Sequence, residues 1–245
     1  MLIMFYIKLS INEVTEKMNP RKFRHELKYY LNTADYLIIK NRLSTIAGPD
    51  EHADSKGSYR IRSLYFETPD DKALLEKLYG VNEREKFRIR YYNNDTSFIR
   101  LEKKTKINNL TNKISAPITK EECEKLIAGD TEWMRESKNG LILELYAKMK
   151  YELLRPKTLV DYMREPFVYR PGNVRVTFDT KISTGVNAVD LLNANIPMIR
   201  TNEEQIIIME VKYDNYLPTI IRSMVQVQNR RVTAFSKYAV ARVFG

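Results

Sequence analysis

The sequence predicts an α+β fold in which eight antiparallel strands close into a barrel with helices packed on its outside. Short runs that alternate between polar and apolar residues recur along the chain, and this is the period of a half-buried strand. Amphipathic segments with helix-capping residues separate these runs, which favours segregated helices over βαβ units. The charged face of each run needs an environment other than the core, and a barrel interior could provide it.

Eight alternating runs are predicted to be strands. Their apolar faces consist mainly of Leu, Ile, Val, Phe and Tyr, and the helices are expected to cover those faces. In order along the chain, the runs are Arg24–Tyr30, Tyr59–Phe66, Lys86–Tyr92, Phe98–Lys106, Asn112–Pro117, Thr158–Arg164, Val174–Ile182 and Ile206–Tyr213.

Helices are predicted between the strands from their capping residues. Thr33 is expected to cap the first helix, and Thr68, followed by proline, is expected to cap the second. Thr119 and Glu122 have capping-box spacing at the start of the third. Two further helical segments are Leu141–Leu154 and Leu217–Val243, the second forming one long helix or two short ones.

The composition points to an anionic partner. The 245 residues include 41 Lys and Arg against 31 Asp and Glu, a formal net charge of +10. Such an excess favours nucleic acid, phosphorylated small molecules or an acidic membrane face, without choosing among them. Cys123 is the only cysteine, and His25 and His52 are the only histidines. These counts argue against a disulfide framework, a thiolate metal site and a His-based catalytic triad.

Residues 1–20 are expected to form an N-terminal extension that need not be ordered, and residues 21–245 a single domain. The apolar run Leu2–Ile7 is too short to span a bilayer and lacks the leading positive charges of a signal peptide. Met18 is an alternative start of the natural chain. Because no other segment is long and apolar enough to span a membrane, we expect a soluble cytoplasmic protein.

Charged rows on several strands suggest a ligand-binding interior. In the stretch "EKFRIRYYNN" every polar position from Lys86 to Arg90 is cationic, and other strands mix Glu with Arg or Lys. A single such row would more often be a solvated face with ion pairs, but the pattern repeats on five strands. Inside a barrel these cations would be costly to bury unless they were neutralised. A phosphate chain, with a divalent cation on the carboxylates, would neutralise them.

The order of several short motifs resembles the VTC domain. The motifs are "RHELKYY", "SLYFETPD", "KFRIRYY", "LEKKTK", "VRVTFDT", "MEVKYD" and "AFSKYAVA". Each is weak alone, and their order and spacing from Arg21 to Arg242 make the match specific. The VTC domain is the polyphosphate polymerase domain of vacuolar transporter chaperone complexes and their bacterial relatives. It belongs to the triphosphate tunnel metalloenzymes, the CYTH-like superfamily.

The resemblance implies an enzyme whose tunnel binds triphosphate and a divalent metal, Mn²⁺ or Mg²⁺. Such a polymerase moves the γ-phosphate of ATP onto a growing inorganic polyphosphate chain and releases ADP. Its partners would be ATP and polyphosphate, with no nucleic acid and no membrane span. Any coupling to polyphosphate translocation would need a separate membrane partner.

The resemblance also implies roles for individual residues. Glu210 of "MEVK" matches the metal-binding glutamate, while Glu26 and Glu102 are weaker metal candidates. Lys113 and Ser236 match contacts to phosphate. The residues that match both phosphate-binding and catalytic positions are Lys28, Arg88, Arg90, Lys104, Arg164, Arg175 and Lys237.

One departure from the superfamily pattern keeps other functions open. Hydrolases of the superfamily begin with "ExExK", whereas this chain has Arg24 at the first position, followed by Glu26 and Lys28. The loss of a carboxylate predicts fewer bound metal ions. The first alternative is a triphosphatase on the same fold, acting on inorganic triphosphate, thiamine triphosphate or an RNA 5′ end. The second is a non-catalytic module that binds nucleic acid or another polyanion through its basic strands and tyrosines.

Overall fold

The computed structural model describes residues 22–50, 53, 57–201, 206–227 and 231–243. The extension expected at residues 1–20 lies outside these residues. Each of the eight predicted runs forms a long strand, and two short strands join them. The strands are β1 (His25–Leu31), β2 (Gly48–Pro49), β3 (Tyr59–Glu67), β4 (Arg84–Tyr92), β5 (Asp95–Ile107), β6 (Leu110–Ile118), β7 (Arg155–Tyr169), β8 (Val174–Gly185), β9 (Ile199–Arg200) and β10 (Ile207–Tyr213).

Six α-helices occur in the described part of the chain, and none is long and apolar enough to cross a membrane. The segment predicted as one or two helices near the C-terminus forms two short ones. The helices are α1 (Thr33–Ser44), α2 (Lys72–Leu78), α3 (Lys120–Ala128), α4 (Gly140–Tyr151), α5 (Thr219–Val225) and α6 (Lys237–Val243).

The strands pair antiparallel in the order β1-β10-β8-β7-β3-β4-β5-β6, with β2 on β7 and β9 on β8. This sheet curls but remains open, so the prediction of a closed barrel is wrong. Among the described residues, its edge strands β1 and β6 are bridged at Arg24 and Thr111, whose backbones exchange two hydrogen bonds of 2.9 Å. The strands are staggered and overlap only there. Farther along β1, the Thr233 N–H donates to the Lys28 carbonyl at 2.8 Å and occupies the same edge.

Two apolar cores lie on the outer face of the sheet. One is formed by β3 to β6 with α3 and α4, and includes Phe87, Leu101 and Leu145. The other is formed by β1, β10 and β8 with α1 and α5, and includes Met209 and Ile221. Burial of these apolar faces leaves the alternate, charged faces of the same strands on the inner side of the curl.

Helix α6 departs from the expectation that all helices pack outside. Its residues Tyr238 and Ala241 belong to a third core with Tyr65, Tyr162 and Ile208 on the inner side of the sheet. The helix therefore lies on the inner side of the curl, where it contacts β7, β8 and α2, and the chain leading into it lies along β1.

Of the three predicted helix caps, one is present as predicted and two differ. The capping box of Thr119 and Glu122 is present at α3, as predicted. Helix α1 is capped by Asn32 rather than Thr33. Helix α2 begins at Lys72, after the predicted cap, and the buried carboxylate of Glu67 accepts hydrogen bonds from backbone N–H groups of its first turn. Glu67 satisfies donors that a helix start otherwise leaves free.

Candidate functional site

The inner side of the sheet holds a cavity of about 170 Å³, roughly ten times the volume that one water molecule needs. Among the described residues, its wall contains eleven lysines and arginines against two glutamates, which suits a multiply charged anion. The charged residues of the wall are Glu26, Lys28, Lys77, Arg84, Lys86, Arg88, Arg90, Lys104, Lys106, Arg164, Glu210, Lys212 and Lys237.

Arg88 and Arg90 extend from β4 into the cavity and are held by hydroxyl groups. Arg88 Nη1 donates to Tyr65 Oη at 2.9 Å. Arg90 donates to Tyr162 Oη at 2.8 Å and to Ser63 Oγ at 3.1 Å. Burial favours a raised pKa for Tyr65, but the two arginines outweigh it and lower that pKa below its ordinary value. The two guanidinium groups are therefore fixed before any ligand arrives.

Glu102 lies behind these arginines and does not line the cavity. It is 1% exposed and accepts hydrogen bonds from Arg88 Nε at 2.8 Å and from Lys113 Nζ at 2.6 Å. Burial opposes its ionisation, yet Arg88 and Arg90 hold its pKa well below the usual range. The expected metal role of Glu102 finds no support in this placement, which makes it a positioning residue for the arginines. Lys113 also lies outside the cavity wall.

A second buried carboxylate, Asp179, holds the opposite wall. It accepts two hydrogen bonds from Arg164, at 2.7 and 2.8 Å, and contacts Lys237 Nζ of α6 at 2.5 Å. Burial raises its pKa, but Arg164 and Lys237 outweigh burial and lower it to about 2. Asp179 was not among the predicted site residues, although it shares its strand face with Arg175. The alternation along the strand could have predicted that Asp179 faces the inner side of the sheet. The neighbouring sequence gave no indication that its partners are Arg164 and Lys237.

The two glutamates of the wall project from neighbouring strands. Glu26 of β1 contacts Lys104 at 2.7 Å and Lys28 at 3.1 Å, and Glu210 of β10 contacts Lys212 at 3.1 Å. Burial and the charge of Glu210 raise the pKa of Glu26, while Lys104 and Lys28 lower it, with a net decrease. The pKa of Glu210 lies well below its usual range, because Lys212 and Lys28 outweigh burial.

Glu26 and Glu210 are the carboxylates that could hold a divalent cation. No group of three or more Asp, Glu, His or Cys side chains suited to a metal occurs among the described residues. Magnesium is commonly bound by one or two carboxylates together with substrate phosphates. The pair therefore fits a metal that arrives with its phosphate ligand, rather than one held by the protein alone.

The chain that leads into α6 forms part of the cavity wall beside β1. Lys28 Nζ donates to the Phe235 carbonyl at 3.0 Å, which fixes this segment to β1. Ser236 lines the cavity, and its Oγ accepts a hydrogen bond from Ala239 N at 3.3 Å. Lys237 enters over the ring of Tyr162, with 4.7 Å from Nζ to the ring centroid. The two predicted residues of this segment, Ser236 and Lys237, are thus in the cavity wall.

Arg175 and Arg24 lie outside the cavity wall. Arg175 was predicted to contact phosphate, but its Nη2 contacts Asp50 at 2.6 Å and donates to Tyr59 Oη at 2.7 Å. Arg24 forms an ion pair with Asp214 at 2.8 Å. The cation that replaces the first carboxylate of the hydrolase motif therefore adds no charge to the wall.

Five cations of the cavity wall were missed as site residues. Alternation along the strands could have identified most of them, since the members on β4, β5 and β10 lie on the same strand faces as predicted site residues. The resemblance singled out none of them, and the position of the one helical member could not be read from sequence. They are Lys77, Arg84, Lys86, Lys106 and Lys212.

Several solved structures are similar to this chain at low sequence identity. A putative adenylyl cyclase from Hippeastrum, described as having a dominant triphosphatase activity, is 12% identical with a TM-score of 0.50, covering 90% of this chain and 95% of that chain. A putative adenylate cyclase from Bacillus halodurans is 12% identical (TM-score 0.47; 79% and 82% covered). The Mimivirus capping enzyme triphosphatase is 10% identical (TM-score 0.42; 90% and 96% covered). At 12% identity the likeness to the Hippeastrum protein shows the fold alone.

Comparison with curated protein sequences finds no match. A match to a protein family, by contrast, extends over nearly the whole described chain. The VTC domain family matches residues 23–244, which include every strand, every helix and every residue of the cavity wall. The chain therefore belongs to the VTC domain family.

Proposed function

We propose that this protein is a metal-dependent polyphosphate polymerase that transfers the γ-phosphate of ATP to the end of an inorganic polyphosphate chain and releases ADP. The observation that carries the proposal is the wall of the cavity, in which eleven cations among the described residues face two carboxylates. Several of these cations are fixed from behind by buried Glu102 and Asp179. Membership of the VTC domain family supports the same function.

Phosphoryl transfer depends mainly on positioning and on neutralisation of charge. In the proposed reaction, an oxygen of the terminal phosphate of the acceptor chain attacks the γ-phosphorus of ATP. The bond from that phosphorus to the β,γ-bridging oxygen breaks, and ADP leaves with the electron pair. Arg88, Arg90 and Arg164 would hold the reacting phosphates, since their guanidinium forks match phosphate oxygens. The attacking oxygen is already ionised at neutral pH, so no general base is required.

A divalent cation would be held by Glu26 and Glu210 together with phosphate oxygens, and would neutralise negative charge on the nucleotide. Lys28, Lys104 and Lys212 contact these two carboxylates. Their positive charges would hold the nucleotide beside the metal and keep the carboxylates ionised.

A triphosphatase is the second candidate. The shared fold with the Hippeastrum protein, described as having a dominant triphosphatase activity, favours it. Water would replace the polyphosphate acceptor and inorganic phosphate would be the product. The position of Arg24 argues against it, because Arg24 replaces the first carboxylate of the hydrolase motif and lies outside the wall, so that carboxylate has no counterpart there.

Nucleic-acid binding is less well supported by the geometry. The rings of Tyr65 and Tyr162 in the cavity are covered by cations, Arg88 at 5.7 Å from the Tyr65 centroid and Lys237 Nζ at 4.7 Å from the Tyr162 centroid. A platform for single strands needs exposed aromatic rings on which bases stack. Tight binding of RNA in preference to inorganic polyphosphate would contradict the proposed function.

Purified protein incubated with ATP and Mn²⁺ or Mg²⁺ tests the proposal. Polyphosphate that lengthens with time on a gel, with one ADP formed for each phosphate added, is the expected result, and a chelator should stop it. Release of inorganic phosphate without chain growth would instead establish a triphosphatase. Binding of polyphosphate without formation of either product would indicate that the protein is a non-catalytic polyanion-binding module.

A further inference from the structure

Lys86 lies in the cavity wall but has no counterpart among the residues that the family resemblance singled out. It precedes Arg88 by two positions on β4, so its side chain leaves the strand on the same face. Its Nζ lies over the ring of Tyr238 of α6, 4.6 Å from the ring centroid. The residue thus lies between the sheet and the helix on the inner side of the sheet.

The largest charge effects on Lys86 come mostly from cations, although Glu76, Glu85 and Glu152 line a second, smaller cavity on its other side. Lys104 of β5 lies directly opposite in the register, and Lys28 of β1 and Lys77 of α2 also act on it. Like charges that face each other across a strand pair destabilise the sheet. An anion between them would remove this repulsion.

The carboxylate with the largest effect on Lys86, that of Glu67, is otherwise engaged. Glu67 accepts hydrogen bonds from the backbone N–H groups of Thr68, Ala73 and Leu74, and from the hydroxyl of Tyr238. No ion pair joins Lys86 to a carboxylate within the described residues. This distinguishes Lys86 from other lysines of the wall: Lys28, Lys104, Lys212 and Lys237.

The physical consequence is a lysine that gives up its proton easily while the cavity is empty. Burial lowers the pKa of Lys86 to about 7, with the repulsion of Lys104, Lys28 and Lys77 adding to the decrease and Glu67 opposing it. A phosphate chain beside the ammonium group would reverse the electrostatic balance and favour the charged form.

We propose that Lys86 is a further phosphate-contacting residue of this cavity, and that it takes up a proton from solvent when a polyphosphate binds in the cavity. The proposal rests on the proposed function in taking a phosphate chain as the ligand. It goes beyond that function in making the affinity for the chain depend on pH through one side chain. The proton comes from solvent, binds the Lys86 amine as the complex forms, and returns to solvent on dissociation.

Titration calorimetry of inorganic tripolyphosphate into the metal-free protein at pH 8.5, in buffers of different ionisation enthalpy, tests this. The parent should take up about one proton more per bound ligand than Lys86→Arg, because the arginine is charged before binding. Subtraction of the variant cancels protons released by the phosphate itself. Above pH 7, the affinity of the parent should fall by up to about tenfold per pH unit relative to that of Lys86→Arg.

Lys103→Arg is the matched control. Lys103 lies on the outer face of β5 and pairs with Glu85 at 2.8 Å and with Glu144, so this variant should keep the proton uptake of the parent. Lys86→Met should bind tripolyphosphate more weakly and lose the extra proton. Circular dichroism would verify that each variant is folded.

Equal proton uptake by the parent and by folded Lys86→Arg would overturn the inference. So would a failure of tripolyphosphate to bind the metal-free parent, whereas the proposed function is decided by chain growth with ATP and metal. Failure of this inference can be separated from failure of the proposed function, because the calorimetry uses neither ATP nor metal. A protein that hydrolyses ATP without building chains would lose the proposed polymerase activity but could still show the proton uptake of Lys86.

Discussion

At the scale of single residues, the site depends on which charges are paired and which are free to meet a ligand. Arg90 is directed by two neutral oxygens, those of Tyr162 and Ser63, while the carboxylate of Glu102 is 3.7 Å from its Nη1. Arg175, in contrast, is occupied by Asp50. Alternation along the strands predicted that both arginines lie on charged faces. It could not predict that Arg90 lies in the cavity wall while Arg175 pairs with Asp50, because the partners of both residues are distant in sequence.

Arg90→Lys should fold normally and still bind polyphosphate, but transfer phosphate at least about tenfold more slowly, a loss of about 1.4 kcal/mol in transition-state stabilisation. Lysine keeps the charge and loses the planar fork. Initial rates of chain growth at saturating ATP measure the change, and higher salt should weaken binding in both proteins without closing the rate gap. Arg175→Lys is the comparison, expected to keep most of the parent rate. Equal rates for Arg90→Lys and the parent would mean that Arg90 contributes only positive charge to the cavity and no specific stabilisation of the transition state.

Glu210→Gln and Glu102→Gln should separate metal binding from positioning. Glu210 lines the cavity, so its variant should lose metal-dependent turnover and bind Mn²⁺ more weakly in the presence of ATP. Glu102 lies behind Arg88, so its variant should slow transfer while Mn²⁺ affinity stays close to that of the parent. Electron paramagnetic resonance of free Mn²⁺ measures that affinity. Unchanged turnover in Glu210→Gln would remove Glu210 from the mechanism.

At the scale of secondary structure, local signals predicted more of the fold than of the site. All eight long strands and the capping box of α3 followed from alternation and spacing. The open form of the sheet did not, because whether the sheet closes depends on how far β1 and β6 overlap at their ends. The inner position of α6 depends on contacts with residues far away in the chain. Examples are the bond from Tyr238 to Glu67 and the ion pair of Arg242 with Asp71 at 2.7 Å.

Two variants with similar costs in stability should therefore differ in activity. Tyr238→Phe removes the hydroxyl that donates to Glu67, and we expect a loss of about 1–3 kcal/mol in the free energy of unfolding. Thr119→Ala removes the capping-box hydroxyl of α3 and should cost about 1 kcal/mol. Only Tyr238→Phe should also slow transfer, because α6 carries Lys237 into the cavity. Urea unfolding and chain-growth rates, measured on the same preparations, give the two quantities. A Thr119→Ala protein slowed as strongly as Tyr238→Phe would contradict this role of α6.

At the scale of the whole molecule, the net charge of +10 is not spread evenly. The cavity wall carries eleven cations and two carboxylates among the described residues. Composition predicted an anionic partner and strand parity predicted an inner charged face, so the character of the site was available from sequence. The degree of burial of each cation was not, and burial decides which lysines stay charged in the empty protein. The loss of protons from buried lysines in the empty protein should make its stability depend on pH.

In the absence of anions, the free energy of unfolding should rise between pH 7 and about 9.5. Burial lowers the pKa of Lys86 to about 7 and that of Lys212 to about 8, whereas an unfolded lysine keeps its proton to about pH 10.4. The unfolded chain therefore binds more protons than the folded protein in this interval, and stability increases with pH. Each lysine adds at most about 1.4 kcal/mol per pH unit.

Urea unfolding at several pH values measures this dependence, with and without saturating tripolyphosphate. The ligand should raise stability most near pH 7 and flatten the rise, since it favours the charged lysines in the folded state and adds its own binding free energy. The effect should weaken as salt screens the charges. A free energy of unfolding that stays constant or falls from pH 7 to 9.5 in the ligand-free protein would mean that the cavity lysines keep their protons without an anion. Their mutual repulsion would then be relieved by water and counterions, and the cavity would be more open to solvent than its buried charges indicate.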